Sequence, residues 1–270
     1  VANIATLTLT TAASGSSFTL TRSAGSWLSD SVKVGQVIRV TVGLAAGSLN
    51  KNLLVAAVTA LVLTVVVMDG SALVIQSGIA ACTVATPGKQ TLVPASGHTD
   101  DSYAIEQFYA DISQSEVYSG MKVTSVAVSL PSSGLATVDI GFAGKDLAVK
   151  GTTPFFTSPT AASVNSVFAA VNGRVLFQGL PVAVITDANF TIDRATENAM
   201  VLGSNSLADI FTGRITASGS LSVYFQDATF RNAFDDETEV SIVFGITAGN
   251  AANAEFMSFV LPRCKLNSHN

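Results

Sequence analysis

Charge is what this 270-residue chain has least of. Asp, Glu, Lys and Arg together make up 12% of it, about half of the roughly 25% usual in soluble domains. The fourteen Lys and Arg never stand side by side, and the net charge is −5. A basic face that grips phosphates is therefore not expected. A surface so poor in ions is expected to be covered by copies of the same chain. A skin of Ser, Thr, Gly and Asn, which the sequence also has, is the other way to stay wet. Histidine is nearly absent: His98 and His269 have no partner at metal-ligand or triad spacing. Cys82 and Cys264 stand far apart with no C-x-x-C, and read as small buried or half-buried residues rather than a bridge. No G-x-x-x-x-G-K-[ST] and no strand–G-x-G-x-x-G–helix pattern occurs, so nothing cradles a nucleotide. The run Asp235-Asp236-Glu237 with Glu239 lacks the alternating ligands and central Gly of a calcium loop, and reads as a solvated loop. Asp100-Asp101 reads the same way. No catalytic, cofactor-binding or metal-binding residue is assigned, and no enzyme is expected. No charged stretch leading into a greasy one opens the chain, so no signal peptide is expected.

What is present is alternation. Ile215, Ala217, Gly219, Leu221, Val223 and Phe225 interleave with Thr216, Ser218, Ser220, Ser222, Tyr224 and Gln226. That period of two gives one greasy face and one hydroxyl-rich face. Asp227–Phe234, with Phe230 and Phe234 four apart, fits one or two helical turns. Strands at Glu239–Thr247 and Glu255–Leu261 follow around a Gly249-Asn250 turn.

Residues 1–92 read as a small all-β accessory domain. Its expected strands are Ala5–Thr11, Ser17–Thr21, Gln36–Val42 and Ile75–Val84, with Trp27 as a core plug. The uncharged run Leu53–Met68 is shorter than the about 18–20 residues a spanning helix needs. Its Val content favours two strands, Leu53–Val58 and Leu61–Val67, so no membrane is expected as a partner. Prolines and glycines between Thr86 and Asp101 mark a linker, placed at 93–101; one continuous fold with a long loop is the other reading. The second domain, 102–270, is expected to carry strands at Met121–Leu130, Leu135–Ala143, Gly173–Phe177 and Val182–Asp193. Gly151–Ala162 is loop-like, and Tyr103–Tyr109 is an edge strand or arm. Alternation throughout predicts a two-sheet sandwich with one short helix.

The second domain resembles the tail tube (major tail) proteins of bacteriophages with long non-contractile tails. The residues that carry the likeness are Ile105-Glu106-Gln107, Asp111-Ile112 and Ser115–Val123, then Gly134–Thr137, Phe142–Asp146 and Thr157–Ala162. Gly203–Asn205, Ala208–Ile210, Gly213–Ile215, Ala217–Leu221, Tyr224–Ala228 and Phe259–Leu266 continue it. Ser17–Val67 resembles the small extra β domain that some members carry. The resemblance implies an all-β, tail-tube-type sandwich that lends strands to an inter-subunit β-barrel, with an N-terminal barrel-like domain on the outside. It implies hexameric rings stacked into a tube, built in the bacterial host's cytoplasm and kept in the virion tail. Tail terminator, tape-measure and distal tail proteins would be its partners, no cofactor is needed, and DNA would pass through the lumen without tight binding.

Two sets of residues are expected to serve that role. Asp139, Asp187, Asp193 and Glu239 sit on polar sides of alternating strands and are candidates to face the bore, where carboxylates would keep phosphates from sticking. Tyr103, Ile105, Phe108, Tyr109, Ile112, Val117 and Tyr118 belong to an arm expected to order against a neighbouring ring or subunit. The rival reading is a carbohydrate- or cell-binding β module of a fibre or adhesin, which would show exposed aromatics clustered near loops.

Overall fold

A computed structural model describes residues 3–88, 100–162, 164 and 166–267. Most of the expected linker at 93–101, and both His98 and His269, lie outside the described residues. The fold is all-β with one short helix. Strands β1 (Ile4–Ser14), β2 (Ser17–Arg22), β3 (Val37–Val42), β4 (Leu53–Val58), β5 (Val62–Val67) and β6 (Gln76–Ala85) close into a barrel in the order β1-β2-β5-β4-β3-β6. Inside it, Leu9, Leu20, Trp27, Ile38, Leu53 and Leu63 are fully buried. The Trp27 indole N–H donates to the Leu61 carbonyl at 3.1 Å, so the ring buries its apolar body without orphaning its one donor.

The chain continues as β7 (Tyr103–Tyr109), β8 (Gln114–Leu130), β9 (Thr137–Ala143), β10 (Asp146–Gly151), β11 (Gly173–Phe177), β12 (Leu180–Val182) and β13 (Ile185–Asp193). It ends with β14 (Glu197–Ala199), β15 (Asp209–Phe211), β16 (Thr216–Val223), helix α1 (Thr229–Asp235), β17 (Val240–Thr247) and β18 (Phe256–Cys264). β8 serves two sheets. Its first half lies between β7 and β10, and its second half between β9 and β13. The change falls at Gly120, whose φ of +62° suits glycine. A second sheet runs β12-β11-β17-β18.

The expected single strand Val182–Asp193 is two. β12 pairs with β11 in one sheet while β13 pairs with β8 and β16 in the other, so the chain crosses between layers at Ala183-Val184. Asp146–Gly151, Glu197–Ala199 and Asp209–Phe211 are strands that alternation did not mark. The apolar stretch Val164–Phe168 is irregular at its described residues, and Val164 is fully exposed.

The layers stack in a definite order. Val240, Ile242 and Phe244 of β17 pack with Val128, Ala188 and Phe190 of β8 and β13. The Phe190 ring stacks on Phe244 at 6.1 Å and meets Phe259 edge-on at 5.2 Å. From the other side of the same β17, Val243 joins Leu176 of β11 against Val37, Leu54, Ala56, Val66 and Met68 of the barrel. The sheet β12-β11-β17-β18 is therefore a middle layer, with the barrel on one face and the β9-β8-β13-β16 sheet on the other. Polar contacts fasten the barrel side. The Asn52 amide donates to the Ala254 carbonyl at 2.7 Å, Arg39 to the Asn253 carbonyl at 3.1 Å, and the Ser258 hydroxyl to the Gly35 carbonyl at 2.8 Å.

This stacking explains Leu53–Met68. Leu53, Val55, Leu63 and Val65 fill the barrel interior, while Leu54, Ala56, Val66 and Met68 face the middle sheet. A hairpin dry on both faces has no polar side to show, so alternation vanishes. Among the described residues no helix is long and apolar enough to cross a membrane.

Candidate assembly face

The outermost sheet is antiparallel, in the order β9-β8-β13-β16, and its two edge strands have a partner on one side only. Register fixes which side chains share a face, because successive residues of a strand point to opposite sides. One face carries the rows Val138–Val128–Phe190–Gly219 and Ile140–Val126–Ile192–Ala217. This is the face turned to the middle sheet. The other carries Thr137–Ser129–Asn189–Ser220, Asp139–Ala127–Thr191–Ser218 and Gly141–Ser125–Asp193–Thr216, with Asp187 beside Ser222. Those rows hold hydroxyls, one amide and three carboxylates, and neither Lys nor Arg.

Three of the four candidate carboxylates, Asp139, Asp187 and Asp193, are thus brought onto one outward face. Asp193 accepts the Ala195 N–H at 2.6 Å; Asp139 and Asp187 make no hydrogen bond or ion pair among the described residues. Glu239 is elsewhere. It precedes β17 in the middle sheet and is gripped by Arg263 through two hydrogen bonds of 2.8 Å each. The Arg263 guanidinium holds that carboxyl below the usual range.

The edges are unfinished on the apolar side too. Val138, Ile140 and Phe142 of β9 are 44%, 52% and 40% exposed although they point to the same side as buried Val128 and Phe190. The middle sheet covers the centre of the outer sheet and leaves β9 overhanging. At the other edge Gly219 has no room for a side chain: an added Cβ would lie 2.3 Å from the Asn189 carbonyl oxygen.

The candidate arm is a β7–β8 hairpin flanked by β10. Tyr103, Phe108, Tyr109 and Ile112 are exposed, Ile105 and Tyr118 half-buried, and Val117 buried within its own chain. Glu106 ties the following loop to this hairpin. It accepts the Phe155 and Phe156 N–H groups at 2.6 and 2.9 Å and the Ser115 hydroxyl at 2.5 Å. The Ser115 hydroxyl, then the two amides, hold the Glu106 carboxyl below its usual range. The tie presents Phe155 and Phe156, an exposed edge-to-face pair 5.1 Å apart, at the surface. Tyr224 and Phe225, beyond β16, are exposed as well. These four are exposed aromatics in or beside loops, the feature expected of the rival β module.

Sequence reasoning missed a charge cluster at the lower end of the open sheet. Lys122, nearly buried, reaches Asp100 at 2.6 Å, the Ile210 carbonyl at 2.8 Å and Asp209 at 3.5 Å. Asp209 also holds Lys145 at 2.7 Å, and Arg194 lies 3.7 Å from Asp100. Lys145 first, helped by the Ile210 N–H and the charge of Lys122, brings the Asp209 pKa down to about 2. Asp100 is therefore not the free loop acid expected of it. One signal was in the sequence: a lysine inside an apolar–hydroxyl strand needs a counter-charge from somewhere. Both cysteines are free, Cys82 buried and Cys264 half-buried. Among the described residues no three His, Cys, Asp or Glu are grouped to hold a metal ion.

A family model described as phage tail tube protein matches residues 5–265. No curated protein matches the chain.

Proposed function

The chain belongs to the phage tail tube protein family, a family of structural subunits of viral tails, and on that premise we propose how it builds a tube. β9 of one copy joins β16 of the next, ring after ring of six, so that the outer sheets merge into a continuous barrel around a bore. Sheet edges left unpaired are a standing invitation to another strand, and a head-to-tail contact of this kind closes into a ring. The observation that carries the reading is the outer sheet itself: two free edges, with a face of hydroxyls and carboxylates free of cations. Turned inward, that face would displace no counterions from DNA and would let it slide. Asp139, Asp187 and Asp193 are then the bore-facing acids. The layer order supports the same orientation, since the barrel packs on the far side of the middle sheet from this face and would ride on the outside of the tube.

The arm, with Phe108, Tyr109 and Ile112 bare at its tip, is the segment for contacts to the neighbouring ring, and other tail proteins would cap the two ends of the stack. The exposed aromatics Phe155, Phe156, Tyr224 and Phe225 favour a second reading, a glycan-binding surface on a monomer. Negative-stain imaging of the purified chain separates the two. Long hollow tubes are the expected result; persistent monomers that bind a glycan array would replace the tube with the adhesin.

A further inference from the structure

Antiparallel joining of β9 to β16 brings the last residue of one strand against the first of the other. Two charged residues wait at that end. Asp146 lies three positions past Ala143, where β9 stops, and Arg214 lies two positions before Thr216, where β16 starts. Both are exposed, and among the described residues neither side chain has an ion pair or hydrogen bond. That is unusual for a cation in this part of the molecule. Lys122 and Lys145 hold Asp209, Arg194 approaches Asp100, Arg263 grips Glu239, and Arg174 donates to the Met68 carbonyl. Lys150, also without a partner, sits on β10 opposite Glu116, well away from the start of β16.

The pleat restricts how the seam can be set. Only shifts of two residues keep the hydroxyl face of β16 flush with that of β9, since a shift of one would turn it over. Setting Ala143 opposite Thr216 overlaps the two strands fully and puts Asp139 opposite Ser220 and Thr137 opposite Ser222. In that register Asp146 and Arg214 both lie just beyond the same end of the seam. We propose that Arg214 of one copy pairs with Asp146 of the next, closing that end and selecting the register. The step rests on the β9–β16 joining proposed above. It leaves Asp139, Asp187 and Asp193 of each copy without a cation.

Charge reversal and cross-linking test the two layers of this proposal separately. Arg214→Glu and Asp146→Lys should each raise the protein concentration needed for tubes by roughly three- to tenfold, the range expected when a partly exposed ion pair becomes a repulsion. The double variant should return to near the wild-type value. Subunit melting should be unchanged in all three, because neither residue has a partner within its own chain. In a Cys264→Ser background, Thr137→Cys with Ser222→Cys should give oxidised ladders of covalently joined subunits. Ladders together with single reversals that assemble normally, or a double variant that fails to recover, overturn the ion pair alone. A loss of ladders in tubes that still form overturns the seam, and the pair with it.

Discussion

The barrel hairpin β4–β5 and the edge strand β9 carry the same kind of apolar side chain, and the protein treats them in opposite ways. In the hairpin every such residue from Leu53 to Ala56 is covered, half by the barrel interior and half by the middle sheet. On β9, Val138, Ile140 and Phe142 stay largely bare. The contrast holds across the molecule. Ten of the twelve largest fully buried side chains among the described residues lie in the barrel, whereas most of the exposed large hydrophobics lie after residue 100. The same apolar pattern thus marks a face dry within the single chain in the hairpin, and on β9 a face that the proposed seam would cover. Exposed apolar strips of this extent on a monomer mark a contact surface.

The sharpest test sets one side chain from each region against the other. Trp27→Ala empties the centre of the barrel and should cost about 3–5 kcal/mol in urea denaturation. Ile140→Ala removes a side chain that is already half in water, and should cost under about 1 kcal/mol in the dissociated subunit while weakening tube formation. Equal losses in the two subunits would erase the distinction between a finished barrel and an unfinished sheet.

Acid gives a smaller effect, confined to the sheet. The folded pKa of Asp209 is about 2, below its ordinary 3.8. Its stabilising contribution is therefore complete above about 3.8 and is lost as pH falls through 2. Asp209→Asn should be less stable than wild type at pH 6, and the gap should close on acidification over that window. The barrel has an ion pair of its own, Asp30 with the nearly buried Arg22, which this substitution leaves untouched. A gap unchanged at pH 2 in denaturant titrations would show that the cluster does not hold the sheet through charge.

How much could be read from the residues alone follows from the same contrast. The strands of the apolar run were legible because Val-rich stretches of six residues, with turn residues between, leave little choice. Tyr103–Tyr109 and Gly173–Phe177 were legible by alternation. Asp146–Gly151 was not, since its only recommendation is a place beside β8, supplied by tertiary contact. The break at Ala183-Val184 was hidden because both sides of it alternate in phase, and only the change of sheet separates them. The shared face of Asp139, Asp187 and Asp193 could be guessed strand by strand but needed register to become one surface. Glu239 looked the same in sequence, yet it sits on another sheet and has Arg263 for a partner. The Lys122 cluster draws on residues 100, 145, 194 and 209, and no local spacing announces a contact of that reach.

The weakest effect on folding should accompany the most telling effect on function. Asp187 and Asp193 lie on the outward face, and neither forms an ion pair among the described residues. Replacing both by Lys should move subunit stability by no more than about 0.5 kcal/mol at Asp187 and by about 1 kcal/mol at Asp193, whose carboxylate gives up the Ala195 N–H. The same change alters two charged positions per copy, repeated around every ring, on the surface proposed to line the bore. Wild-type tubes should hold no DNA. The Asp187→Lys, Asp193→Lys tubes should retain short duplexes at low salt and release them steeply as salt rises, because counterion release then drives binding. Adding the same total charge on the barrel exterior, with lysines at the exposed Ser14, Ser16, Ser77 and Ala80, would bind DNA on the outside, where added nuclease can reach it. Protection from nuclease in the first variant and digestion in the second would separate the bore from the outer wall. Equal digestion in both would place the carboxylate face on the outside, and would leave the barrel to explain why a second dry layer was built at all.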